Sequence, residues 1–159
     1  MGKQEFTTLC YVEHEGKVLM LNRNKKKQDI NKDKYIGIGG HLEHGESPEE
    51  CILREAFEET GLTLHNPKLR GMITFVIDDY DEYSFLYTCD DFEGELRECD
   101  EGELVWVEKE RVCELPLWEG DREFLPMLWE ESGFFTIKLV YVNDRLTEVV
   151  RRREGIRTE

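Results

Sequence analysis

The sequence predicts an α/β domain with a mixed sheet, and three observations carry that prediction. Segments rich in β-branched and aromatic residues recur from Phe6 to Val150. A sharply bounded amphipathic helix interrupts them at residues 48–60. The 159 residues, 39% of them hydrophobic, suffice for the core of one domain.

Taken in order, Phe6 to Val12 reads as a strand, Glu13-His14-Glu15-Gly16 as a turn, and Lys17 to Leu21 as the second arm of a hairpin. Arg23 to Lys34 is polar and basic around Lys25-Lys26-Lys27. It reads either as a solvated loop or as a lid carrying positive charge. Tyr35 to Gly40 is extended and ends in glycines, which let backbone approach a ligand closely.

The helix that follows is marked at both ends. Ser47 is a preferred N-cap, Pro48 suits the first helical position, and Glu50 completes a capping box. Gly61 suits the left-handed position that closes the helix at Thr60. Ile52, Leu53, Ala56 and Phe57 form an apolar stripe. Glu55, Glu58 and Glu59, three and four residues apart, share the other face. Such a face is either a solvated surface or a set of oxygen ligands for a hard divalent cation.

Beyond the helix, Leu69 to Ile77 and Tyr83 to Cys89 read as strands separated by residues 78–81, and Gly94 marks a turn. Glu103 to Glu108 alternates as a strand, and Glu110 to Leu115 as a short helical turn. Asp121 is expected to cap a helix to about Glu130, with Phe124, Leu125, Leu128 and Trp129 on its buried side and a kink or restart at Pro126. Phe134 to Val142 and Arg145 to Val150 form a hairpin about Asn143-Asp144. The arginine-rich tail from about residue 151 reads as disordered.

A net charge of −15 argues against a general nucleic-acid binder and makes bound cations necessary for any handling of phosphates. No apolar run reaches the length of a membrane span, and none has the form of a signal peptide. The five scattered cysteines lack a Cys-x-x-Cys and read as reduced thiols of a cytoplasmic protein. His14, His41, His44 and His65 show no metal-ligand spacing.

The alternatives for the acidic helix are decided by a longer pattern. Gly40, Glu46, Arg54-Glu55-Ala56, Glu58-Glu59 and Gly61-Leu62 occupy every fixed position of a motif spanning residues 40–62. This stretch resembles the complete box of the Nudix hydrolases. The likeness runs from Thr8 to the C-terminal hairpin and is greatest to the MutT-like 8-oxo-dGTP diphosphatases. Its weaker cues are Tyr-Ile-Gly-Ile-Gly-Gly at 35–40, Gly71 to Phe75, and Leu-Pro-Leu-Trp-Glu-Gly-Asp at 115–121.

The resemblance implies a Nudix-type α/β/α sandwich, with a mixed β-sheet and the box as a loop-helix-loop, in one domain of residues 1–159. It implies Mg2+ as cofactor, with Mn2+ as substitute. The ligands would be Glu55, Glu58, Glu59, Glu101 and the Gly39 carbonyl. Arg54 would orient a carboxylate, and Glu46 would support the loop. Glu101 stands for a catalytic acid on the loop before Trp106, with Asp100 and Glu98 as alternative registers. Thr8, Arg23, Ile36, Phe75, Trp118 and Asp121 would contact the nucleotide. Arg23 would meet the phosphates, while Trp118 and Phe75 would flank the base and Asp121 bond its edge. Two departures stand out. Mammalian enzymes of this type place Asn where this chain has Ile36, and two acids where it has Gly120-Asp121.

The expected function is magnesium-dependent cleavage of a nucleoside triphosphate, 8-oxo-dGTP or another oxidised purine nucleotide, to monophosphate and pyrophosphate. The expected protein is a monomer or homodimer that takes a small nucleotide, with no stable nucleic-acid complex and no membrane. The alternatives are a Nudix hydrolase of another diphosphate (sugar nucleotide, dinucleoside polyphosphate or capped RNA) and a non-catalytic nucleotide sensor.

Overall fold

The computed structural model describes residues 2–29, 31–130 and 133–153. In chain order the elements are β1 (Lys3–His14), β2 (Lys17–Asn22), β3 (Tyr35–Ile36), β4 (Ile38–His41), α1 (Pro48–Thr60) and β5 (Thr63–Leu64). Then come β6 (Lys68–Ile77), β7 (Tyr80–Cys89), β8 (Phe92–Glu93), β9 (Glu103–Glu108) and a 3-10 helix (Lys109–Glu114). The chain ends on α2 (Asp121–Trp129), β10 (Phe135–Val142) and β11 (Arg145–Arg153).

Strand order runs β11-β10-β6-β7-β1. The other side of β1 is shared: β4 pairs with residues 7–10 and β2 with residues 13–14. On β2, β9 lies opposite the end of β1 and β3. The β1–β7 and β10–β6 pairs are parallel and the remaining named pairs antiparallel, so the sheet is mixed, as expected. A small β5–β8 pair, not anticipated from the sequence, lies apart.

Alternation along the strands divides the core into two layers. Cys10, Val12, Leu19, Leu21 and Ile38 lie with Ile52 and Ala56 of α1. Tyr11, Val18, Met20, Ile73 and Leu139 lie with Phe124, Leu125 and Leu128 of α2. Each such aliphatic or aromatic side chain contributes roughly 1.5–3 kcal/mol through burial. The result is the expected α/β/α sandwich.

Helix α1 starts on the expected capping box. The Glu50 amide donates to Ser47 Oγ at 3.1 Å, and the Ser47 amide to Glu50 Oε1 at 2.9 Å. Gly61 ends it at φ 85°. The stripe is narrower than expected: Cys51, Ile52, Ala56 and Thr60 are buried, but Phe57 is 50% exposed. Phe57 lies one position round from the seam, and the Arg97 guanidinium covers its ring at 4.8 Å.

Three other expectations are corrected. Asp121 does not cap α2; it is the first helical residue, and the preceding Gly120 already has helical dihedrals (φ −66°, ψ −26°) with no side-chain cap. The Gly120 amide instead donates to Tyr141 Oη at 2.6 Å. Pro126 causes no restart, since α2 runs unbroken through it to Trp129. Disorder does not begin at 151, because β11 pairs with β10 as far as Arg153. The arginines of this edge strand find acids: Arg151 pairs with Glu123 of α2, and Arg153 with Glu130 at 3.2 Å. Residues 154–159 lie outside the described chain.

Candidate active site

The acidic face of α1 packs against β4, and glycines make the approach possible. A β-carbon at Gly40 would lie 2.5 Å from the Glu55 carboxylate. One at Gly39 would lie 1.9 Å from the Thr8 carbonyl oxygen. The Gly39 amide donates to Glu59 Oε1 at 3.0 Å. The three acids are therefore not equivalent. Glu59 is turned inward, Glu55 is one-fifth exposed, and Glu58 is about half exposed.

Arg54 links this face to the loop before the helix. Its Nε and Nη2 donate to the two oxygens of Glu46, at 2.7 and 3.0 Å, in a bidentate pair. Its Nη1 donates to Glu55 at 2.6 Å and Glu58 at 3.0 Å, and Nη2 also reaches the His41 carbonyl at 3.1 Å. The guanidinium holds the Glu46 carboxyl down to about 2. Glu46 thus supports the loop through Arg54.

Glu101 completes the cluster. Its carboxyl lies within hydrogen-bonding reach of Glu59. Burial, reinforced by Glu101, pushes Glu59 up to about 9, although the Gly39 amide opposes the shift. Burial also raises Glu55, against the pull of Arg54. Of the three candidate registers, Glu101 is the one brought to the helix, and Glu98 pairs with Lys25 at 3.3 Å. Cations of the basic loop stand behind Glu101: Arg23 Nη2 at 3.6 Å and Lys26 Nζ at 4.0 Å. Lys25 pins this loop by donating to the Cys99 carbonyl at 2.7 Å.

The donor set suits a hard divalent cation. It is all oxygen, it is carried mainly on one rigid helix, and Glu59 lacks a countercharge. Among the described residues no three His, Cys, Asp or Glu side chains form a ready-made cage. The carboxylates lean on N–H donors instead, Glu55 and Glu58 on Arg54 and Glu59 on Gly39. Cation binding would exchange part of these hydrogen bonds for coordination.

Beside the glycines opens a cavity of about 440 Å³. Ile36, Phe75, Trp118 and Asp121 all line it, as does Thr8. The Thr8 hydroxyl is turned toward Cys51 Sγ at 3.2 Å and the Gly40 carbonyl at 3.4 Å. β1 alternates, so the neighbour Thr7 presents its side chain on the cavity side. Arg23 is not part of the lining; Asp29, at 2.7 Å, holds it near Glu101.

Trp118 is fastened edge-on to Tyr141, with centroids 5.9 Å apart, and its Nε1–H donates to Asn31 Oδ1 at 2.6 Å. Lys34 Nζ lies 4.7 Å from its ring. Asp121 is 7% exposed, and burial pushes its carboxyl up to about 7 despite Arg122 and Lys34. Sequence reasoning missed Asn31, Tyr141 and the β7 residues Tyr80, Glu82 and Ser84, all of which line the cavity. The available signal was the alternation of β7, which sets Tyr80, Glu82 and Ser84 on one face. His41, exposed at the end of β4, pairs with Glu5 and also lines the cavity.

Comparison with known proteins agrees with this geometry. The NUDIX domain family matches residues 4–128. The chain is 31% identical over 132 residues to an uncharacterised Nudix hydrolase of Bacillus subtilis, covering 79% of this chain and 80% of that one. It is 29% identical over 136 residues to an oxidized purine nucleoside triphosphate hydrolase of Danio rerio, covering 84% and 85%. Among solved structures, a MutT protein from Bacillus halodurans superposes with a TM-score of 0.83 at 29% identity, covering 92% of this chain and 97% of that one.

Proposed function

The chain belongs to the Nudix hydrolase family, and on that premise we propose that it is a magnesium-dependent nucleoside triphosphate pyrophosphohydrolase. Its preferred substrate is 8-oxo-dGTP or another oxidised purine nucleotide, with Mn2+ able to replace Mg2+. Residues 1–159 act as one domain, as monomer or homodimer, on free nucleotides in the cytoplasm.

The observation that carries this reading is the cavity of about 440 Å³ that opens at Gly39 and Gly40, next to the acid cluster. A flat base fits between Trp118 and Phe75, with the buried Asp121 carboxyl at its edge. The kinship with the Danio rerio enzyme supports the same substrate class.

The metal would be held by Glu55, Glu58, Glu59 and Glu101 with the Gly39 carbonyl. When bound, it supplies charge neutralisation for the polyphosphate and acidifies a water. The rest falls to the chain. Arg54, braced by Glu46, keeps Glu55 and Glu58 in position. Arg23 and Lys26, beside Glu101, offer positive charge to the phosphate tail. Water adds to one phosphorus of the α–β linkage as the bridging P–O bond breaks; the water proton passes to a carboxylate of the cluster, and monophosphate and pyrophosphate leave.

The test is a steady-state panel of normal and oxidised nucleotides with magnesium. The expected result is a higher kcat/KM for 8-oxo-dGTP than for dGTP. Equal values would end the sanitising reading. A preference for a sugar nucleotide, dinucleoside polyphosphate or capped RNA would redirect it within the family.

A further inference from the structure

The cavity has further polar lining residues, on β7. Glu82 and Ser84 are two residues apart on one strand and share its inward face. Ser84 is 2% exposed and lines the cavity, yet among the described residues its hydroxyl makes no hydrogen bond. The oxygen is not sealed in the core but opens to the cavity, where it is free to meet a ligand.

Glu82 is held firmly but not exhausted. Its Oε2 accepts from Thr7 Oγ1 at 3.0 Å, and its Oε1 accepts from Tyr80 Oη at 2.9 Å. Tyr80 Oη also lies 2.9 Å from Glu5 Oε2, so one phenolic proton is shared between two carboxylates. Each Glu82 oxygen keeps a lone pair for a further donor. Asp121, which lines the same cavity, is 7% exposed, and among the described residues its carboxyl takes part in no hydrogen bond.

We propose that Ser84 and Glu82 are specificity-determining residues that read a lactam edge of the base, Ser84 donating to its carbonyl oxygen and Glu82 accepting from the adjacent N–H. The inference rests on the reading of this cavity as the base site. A carbonyl beside an N–H demands one donor and one acceptor side by side, and this pair supplies them. Guanine has one such edge, at its six-membered ring. Oxidation at the 8-position adds a second, on the five-membered ring. Adenine has none. With Asp121 lining the same cavity, oxidised guanine offers one more N–H donor to its acids than guanine does, because its second edge turns an acceptor nitrogen into a donor.

The test measures binding of 8-oxo-dGMP, dGMP and dAMP by calorimetry to wild type, Ser84→Ala and Glu82→Gln, alongside kcat and KM for the triphosphates. Circular dichroism and Tm verify folding, and Glu82→Gln, at the cavity mouth, serves if Ser84→Ala is unstable. The expected result is a loss of about tenfold or more in affinity for the lactam purines, with dAMP unchanged and the loss appearing in KM rather than kcat. Unchanged affinities would overturn the inference, and so would an equal loss for all three ligands. If wild type favours dGMP over 8-oxo-dGMP while both variants still weaken the lactam purines, the oxidised-substrate reading fails and the assignment of Ser84 and Glu82 stands.

Discussion

Gly40 and Glu55 occupy the same space: a β-carbon on the glycine would lie 2.5 Å from the carboxylate. The obstructed group is the end of a flexible side chain, so it can swing aside at little cost to the fold. Gly40→Ala is expected to keep a Tm near that of wild type while kcat falls by roughly 100-fold, the penalty of a small misplacement of catalytic groups. A folded Gly40→Ala variant with full turnover would show that Glu55 needs no fixed position.

Glu59 is the most enclosed acid of the cluster and faces Glu101. Glu59→Gln keeps an acceptor for the Gly39 amide and replaces a carboxyl whose charged form burial and Glu101 already disfavour. Turnover is expected to fall by roughly 100- to 1,000-fold, the scale of losing one fixed electrostatic partner. The metal-free protein should melt no lower than wild type. Near-normal turnover would mean that the cluster is not where catalysis happens.

Arg54 cannot be replaced by another cation. Lysine lacks the planar fork that meets both oxygens of Glu46 while still reaching Glu55 and Glu58. Arg54→Lys should lower kcat or metal affinity about 10- to 100-fold, as loss of supporting groups does. Stability should drop by only about 1 kcal/mol, because the pairs are partly exposed. Metal titration followed by activity distinguishes the two losses.

Asp121 sets a pH dependence whose sign follows from burial. Its carboxyl titrates at about 7 in the folded chain against 3.8 as the ordinary value. Between those values the folded state holds a proton that the unfolded state has released, so stability falls as pH rises through that window. Wild-type Tm without ligand should therefore decline from pH 5 to 8 more steeply than that of Asp121→Asn. Parallel curves for the two proteins would show that the group is ionised at little cost.

The sequence alone determined the capped helix and the acid spacing of residues 40–62. Capping, glycine placement and acid spacing are local, within one or two helical turns, so they are readable without knowing what packs against them. Mixed α/β architecture followed for the same reason, from periodicity along each segment. What needed the tertiary structure was anything joining distant segments. Glu101 reaches Glu59 because β9 pairs with β2. Phe57 turns to solvent because the seam of α1 is narrower than its apolar residues. Asp121 becomes a buried acid instead of a cap because Gly120 is already helical and anchored to Tyr141. Alternation puts Ser84 and Glu82 on one face of β7, but that face became a cavity lining only with Thr7, Trp118 and Asp121 beside it. Spacing along the chain specifies which groups share an element, but only packing decides which elements share a site.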